Sequence, residues 1–236
     1  MYKVNANETA FIVAGQCEDE ISFVFDDGKK LYVSQNFLHY VSPVFKAMFD
    51  NGFKENKTRE VKLPGKGYDD VLEFLRCLHP AVQKQISPEQ ILQVVELSEE
   101  YQVQSLILKC KDTMKERLTS ELNAARGKQD PTTFFRSFDK SSGNALKLEK
   151  AKNCLSILTT CLIFQYDDII SESVCVLGKF GYGIFSGTIA GSKQHRTKML
   201  EDLAHDCKHM YDSLPGNLKI RILSERLHLC DNTDML

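Results

Sequence analysis

The chain has no tryptophan, no Cys-x-x-Cys pair among its eight cysteines, and no apolar run near the ~20 residues that a membrane-spanning helix needs. The missing tryptophan removes one common interface anchor and decides nothing else. The cysteines, at 17, 77, 110, 154, 161, 175, 207 and 230, are irregularly spaced, which argues against a zinc-finger framework. Met1-Tyr2-Lys3-Val4-Asn5 lacks the apolar block of a secretory signal, so a reducing compartment, cytoplasmic and/or nuclear, is expected, with free thiols. The net charge is −2 and the cations are scattered, so no basic stripe points to nucleic acid. There is no internal repeat and no low-complexity tract. The G-x-G-x-x-G, G-x-x-x-x-G-K-[ST] and H-E-x-x-H patterns are also absent.

What is present suits a globular protein: 236 residues, 42% apolar and 26% charged, enough for one large or two small domains. The clearest local signal is Ser42-Pro43-Val44-Phe45-Lys46-Ala47-Met48-Phe49. Ser42 can cap a helix whose first residue is Pro43, where the missing N–H costs nothing. Val44, Phe45, Met48 and Phe49 then form an apolar face, and Gly52 is a plausible stop. Phe53-Lys54-Glu55 follows in a polar run.

Upstream, Thr9–Ala14 reads as a short strand. Ile21, Phe23 and Phe25 alternate with Ser22 and Val24, Asp27-Gly28 signals a turn, and Leu31-Tyr32-Val33 resumes the pattern, which makes a hairpin. Arg59–Leu63 is a third strand. Val71, Leu72, Phe74, Leu75 and Leu78 mark a helix ending at His79-Pro80. Ser87-Pro88-Glu89-Gln90 has the form of a capping box opening the next helix, and 105–118 is another. Gly127–Pro131 is a plausible boundary. Beyond it helices are expected at about 145–166, 168–177, 196–212 and 216–229, with a glycine-rich, tightly turned stretch over 178–193.

The order hairpin, two short helices, strand, then three helices resembles the BTB/POZ domain family. The residues that carry the resemblance are Ile21–Phe25, Gly28–Ser34, Phe37-Leu38, Ser42–Phe45, Met48-Phe49, Phe53-Lys54-Glu55 and Leu97–Val103. Leu31-Tyr32-Val33-Ser34 and His79-Pro80 are most similar to nematode members, many of which carry a MATH domain first. With about seventeen residues before the match, a MATH domain is not expected here. Many members have His where Ser34 stands, Asp where Glu20 stands, and Leu-Ala-Asp where Leu97-Ser98-Glu99 stands. The expected fold is α+β: a BTB/POZ fold, with a small three-stranded sheet and a helical cluster, followed by an all-helical region. The divisions are an N-terminal segment 1–17, the BTB/POZ domain 18–118, a linker 119–144, and a helical C-terminal extension 145–236 similar to those of relatives.

The resemblance implies a binding module and not an enzyme, with no cofactor and no metal. Members commonly homodimerise through the first helix and N-terminal segment, and many bind the cullin-3 scaffold as substrate adaptors of a ubiquitin ligase. Such adaptors often carry a hydrophobic-x-Glu signature before the third strand, where Phe53-Lys54-Glu55 sits. The expected cullin surface is Phe53, Glu55, Phe49 and Lys54, and the expected dimer residues are Ile21, Phe37, Leu38, Tyr40 and Val41. Of these, Phe37 and Leu38 are expected nearer the core, and Tyr40 and Val41 nearer the seam. The expected partners are cullin-3, a homodimer or BTB heterodimer, and an unknown target, with no nucleic acid and no membrane. The alternative is a homotypic BTB scaffold, or a transcription-associated interaction protein, that does not bind cullin.

The residues themselves leave two readings of Phe53. Exposed among Asp50, Asn51, Lys54, Glu55, Asn56 and Lys57, it could gain about 2 kcal/mol by burial in a partner groove. Alternatively, it folds back onto the preceding helix. His205-x-x-x-His209, with Cys207 and His228-Leu229-Cys230, invites a zinc reading, but Cys207 at i+2 points elsewhere on a helix, so a polar face is expected. Asp167-Asp168 and Glu99-Glu100 are sequence neighbours and face apart, which suits solvent more than acid–base work. Cys154 and Cys161, seven apart, are expected as small core residues.

Overall fold

The structure is a computed structural model and describes residues 9–50, 58–87, 89–126, 140–188 and 198–232. It divides into two units, Met1–Thr113 and Met114–Leu236.

The first unit is built on strands β1 (Glu20–Val24), β2 (Lys30–Ser34) and β3 (Glu60–Lys62), in the order β2-β1-β3. β1 and β2 are an antiparallel hairpin with Phe23 opposite Leu31 and Ile21 opposite Val33. Its turn closes where Asp27-Gly28 predicts. Gly28 takes φ +79°, a conformation that a side chain would strain. The Phe25 N–H donates to the Lys29 carbonyl, and the Gly28 N–H to the Phe25 carbonyl. β3 runs parallel to β1, with Val61 opposite Phe23. A parallel neighbour needs a crossover. Helices α1 (Gln35–Val41) and α2 (Pro43–Asp50) supply it.

α3 (Tyr68–Leu78), α4 (Ile91–Glu100) and the start of α5 (Gln104–Arg126) complete the unit. Its core is centred on Phe45, which is fully buried and stacks on Phe23 (5.6 Å), Phe49 (6.1 Å) and Tyr101 (4.4 Å between centroids). Ser42 is buried beside it. Its hydroxyl accepts from the Phe45 N–H (3.1 Å) and donates to the Tyr101 carbonyl (2.6 Å).

Three expectations change. Thr9–Ala14 is a turn, not a strand: Phe11 takes φ +69° and the Ile12 N–H closes onto the Thr9 carbonyl. A single ladder-like bond among the described residues runs from the Tyr32 N–H of β2 to the Phe11 carbonyl. The capping box at Ser87 does not form. The Ser87 hydroxyl bonds the Gln90 side chain, the Gln90 N–H closes a turn onto the Ser87 carbonyl, and the helix begins at Ile91. α5 does not stop at Leu118, because Met114, Leu118, Leu122 and Ala125 continue its buried stripe.

The second unit is helical among the described residues: the rest of α5, α6 (Lys140–Phe164), α7 (Asp167–Gly178), α8 (Tyr182–Phe185), α9 (Lys198–Ser213) and α10 (Gly216–Asn232). The stretch 119–144, expected as a linker, contains the end of α5 and the start of α6. Gly178 allows α10 to lie close against α7, since a Cβ there would come within 2.7 Å of the Glu225 Cβ. Cys154 and Cys161 are fully buried on one face of α6. A buried carboxylate, Glu121 of α5, binds Arg117 Nε (3.2 Å), Lys150 Nζ (3.1 Å) and Asn153 Nδ2 (2.8 Å).

Candidate functional site

The candidate surface is carried by α1, α2 and the connection from α2 to β3. α2 is positioned by its cap and its rings: Ser42 starts it, and Phe45 and Phe49, one turn apart, hold it to the core. Its last residue, Asp50, pairs with His39 Nε2 of α1 at 2.9 Å. Downstream, Arg59 takes φ +53° and its carbonyl accepts from the Ser22 N–H of β1 (2.9 Å), while the Thr58 hydroxyl accepts from the Glu60 N–H (3.3 Å). Phe53, Lys54 and Glu55 lie between these ends, outside the described residues. Gly52, the expected helix stop, lies there too. Phe49 lies inside the unit, 3% exposed, and not on a partner surface. Four residues after Phe45 on one helix, it shares the inward face.

The expected dimer residues also separate. Ile21, on the central strand, and Leu38 are buried within the unit, so they shape a seam only from beneath. Phe37 is half-buried, with its ring 4.9 Å from His79. Val41 is half-buried, and Tyr40 is 89% exposed. Of the five, Tyr40 presents the most surface.

Asp19 is a structural carboxylate that the sequence reading passed over. Its Oδ2 accepts from the Ser34 hydroxyl (2.6 Å) and the Asn36 N–H (2.8 Å). The Ser34 hydroxyl in turn caps α1 through the Phe37 N–H at 3.2 Å. The Ser34 bond holds the Asp19 carboxyl below the usual carboxylate range. Its neighbour Glu20 faces the N-terminal turn and accepts from the N–H groups of Gly15 (2.9 Å) and Gln16 (3.0 Å). Only the Asp–Glu adjacency was visible in sequence. The partners of Asp19 lie 15 and 17 residues away.

A cleft of about 330 Å³ lies between the N-terminal turn, β2 and the end of α3, with Phe11, Cys17, Tyr32, Ser34, His79 and Val82 on its walls. His79 Nδ1 accepts from the Ala81 N–H (3.2 Å), which leaves the ring proton of the neutral form on Nε2. Burial pushes the His79 pKa down. Burial, then Asp19 and Glu20, push the Cys17 thiol up, which is the opposite of an activated nucleophile.

The family model for the BTB/POZ domain matches residues 16–118. Residues 16–118 are a BTB/POZ domain. The domain is also similar to BTB and MATH domain-containing protein 38 of Caenorhabditis elegans, at 30% identity over 82 residues. That match covers 35% of this chain and 21% of the relative, so the chain spans about a fifth of that relative's length. BTB/POZ domains mediate oligomerisation and partner binding, so the first unit is a protein–protein interaction module. The α1–α2 face belongs to this module, and the family match ends before most of the helical unit.

The remaining sequence candidates do not converge on chemistry. His205 and His209 lie along the exposed side of α9, with ring centroids 6.4 Å apart and planes tilted by 33°. Cys207 is buried and donates to the Leu148 carbonyl. Among the described residues no three metal-ligating side chains come together. Asp168 pairs with Lys115 (2.6 Å) and Glu100 with Lys66. Gly191-Ser192-Lys193 lies outside the described residues. Among the described residues no helix is long and apolar enough to cross a membrane.

Proposed function

We propose that the protein is a dimeric substrate adaptor that joins a target protein to a cullin-3 type ubiquitin ligase, working in the cytoplasm or nucleus and catalysing no transfer itself. The observation that carries this reading is Phe53-Lys54-Glu55, a hydrophobic-x-Glu sequence between α2 and β3 of a BTB/POZ domain. Phe53 supplies apolar area to a cullin groove, and Glu55 orients the contact. Lys54 stands between them in the sequence. α2, fixed by Ser42, Phe45 and Phe49, is the support, so Phe49 acts from below. Tyr40 and Val41 face a second BTB copy, either the same chain or another BTB protein, and the helical extension is left to recruit the target.

The test is capture of purified cullin-3 by the full chain and by the Phe53→Ala/Glu55→Ala variant. Losing about 2 kcal/mol of apolar burial weakens binding by roughly thirtyfold. No binding by the wild type, or equal binding by both, overturns the adaptor reading. The second reading, a homotypic scaffold that does not bind cullin, draws on the 89% exposure of Tyr40. It predicts a dimer by light scattering that Tyr40→Glu dissociates, with no cullin captured by either protein.

A further inference from the structure

α9 turns Leu200, Ala204, Cys207 and Tyr211 inward. Its outward face carries His205 and His209, both exposed, with ring centroids 6.4 Å apart. Neither imidazole has a hydrogen-bond partner among the described residues. Positions four apart on a helix differ by about 40° in direction and about 6 Å in height, so both rings rise from one strip of surface. An ion that bonds two imidazoles at about 2.1 Å, with an angle of about 90–110° between them, sets the ring centroids about 5 Å apart. Side-chain rotation alone closes the observed spacing to that value, and exposed side chains rotate within nanoseconds. The backbone between them is held. Cys207, midway, is buried and donates to the Leu148 carbonyl of α6 at 3.2 Å. The flanking carboxylates leave the pair room: Asp206 is tied to Lys152 (2.6 Å) and Asp212 to Lys208 (2.5 Å). Glu201 and Asp202, exposed one turn upstream and in no ion pair among the described residues, make this end of the face net negative. That favours a cation.

We propose that His205 and His209 chelate one divalent late first-row metal ion such as zinc. Imidazole nitrogens suit zinc, nickel and copper(II), whereas magnesium and calcium take oxygen donors. Among the described residues no third metal-ligating side chain joins the pair. Two positions of a four-coordinate ion therefore go to water, and the site is open, unlike the closed four-ligand centre of a zinc finger. The helix supplies the spacing before the ion arrives, so the second bond forms within one molecule and adds affinity that a lone histidine lacks. The site lies in the helical unit and is independent of cullin binding.

The test is isothermal titration of the full chain with zinc chloride, after the exposed thiols of Cys17, Cys175 and Cys230 are blocked with iodoacetamide. One zinc ion per chain is expected, and no binding of magnesium chloride. His205→Gln and His209→Gln should each weaken zinc binding by at least about tenfold, and His228→Gln should leave it unchanged. His209→Gln with Met210→His keeps the number of histidines but moves the second ring about 100° round the helix. It should bind as weakly as His209→Gln alone. Thermal melts of the metal-free variants check the fold. His205→Gln, at an exposed position, keeps the test decisive if the half-buried Met210→His lowers the melt. Wild-type binding no tighter than that of His205→Gln overturns the proposal. So does full binding by the His209→Gln/Met210→His variant, or a zinc site that His228→Gln removes.

Discussion

Ser42→Ala should destabilise the BTB/POZ domain far more than an ordinary helix cap. Ser42 is 1% exposed and its hydroxyl makes two bonds. It accepts from the Phe45 N–H at the start of α2 and donates to the Tyr101 carbonyl at the end of α4. Losing the cap costs about 1 kcal/mol. Taking the donor from a buried carbonyl costs about 1–3 kcal/mol more. We expect a total of about 2–4 kcal/mol, which at a urea sensitivity of about 2 kcal/mol per M lowers the unfolding midpoint by about 1–2 M. Ser34→Ala is the comparison, because Ser34 also caps a helix, through the Phe37 N–H, but is only half-buried. There Asp19 still accepts from the Asn36 N–H, so we expect about 1 kcal/mol or less.

The two units can unfold separately, so a bulk spectroscopic signal mixes them. Pulsed thiol labelling read by mass spectrometry separates them. Cys77 and Cys110 are buried in the first unit, and Cys154, Cys161 and Cys207 in the second. Ser42→Ala should move the labelling midpoint of Cys77 and Cys110 and leave the other three in place. If Ser42→Ala costs no more than Ser34→Ala, the bond to the Tyr101 carbonyl contributes nothing and the reasoning fails.

Glu121→Ala leaves the mostly buried Arg117 without its carboxylate, while Lys150 keeps Glu149 at 3.3 Å, and should cost about 2 kcal/mol, read as earlier labelling of Cys154, Cys161 and Cys207. Burial lowers the folded-state pKa of His79, so its contribution to stability is complete above its unfolded value and is lost as pH falls through the folded one. Urea midpoints below neutral pH should therefore fall less steeply for His79→Gln than for the wild type. Without denaturant, Cys17, Cys175 and Cys230 should react with a disulfide reagent while the five buried thiols stay silent. Cys17 should be the slowest of the three, because burial and its two acidic neighbours raise its pKa.

The hairpin, the third strand, α2 and the helical second half were legible because each writes its own local signal. Alternation sets a strand, Asp27-Gly28 a turn, Ser42-Pro43 a helix start, and repeated apolar residues a buried stripe. The misreadings have one physical source: a local pattern whose groups found other partners. Thr9–Ala14 is apolar enough for a strand, yet Phe11 is used against His79 at 5.4 Å, in a turn latched by Glu20. Ser87 and Gln90 have capping chemistry, yet they bond each other. Asp19 and the Tyr101 carbonyl were invisible as partners of Ser34 and Ser42, since those pairs are separated by 15 and 59 residues. Ser42 joins two of the stretches that carry the family likeness, Ser42–Phe49 and Leu97–Val103, by its bond to the Tyr101 carbonyl.

Phe49 and Phe53 show where such a reading can be sharpened. Both are phenylalanines before β3, and both are expected at the partner surface. A residue four places after Phe45 on one helix must share its face, and Phe45 is the centre of the core, so Phe49 points inward. Phe53 is a further four places on and lies outside the described residues. The two residues should separate experimentally. Phe49→Ala removes a ring stacked on Phe45 and should cost about 3–5 kcal/mol, exposing Cys77 and Cys110 to labelling at lower urea. On the partner-binding reading, Phe53→Ala leaves those midpoints unchanged and weakens cullin-3 capture alone. If Phe53→Ala instead destabilises the domain as Phe49→Ala does, Phe53 is a core residue and the surface assigned to it is lost.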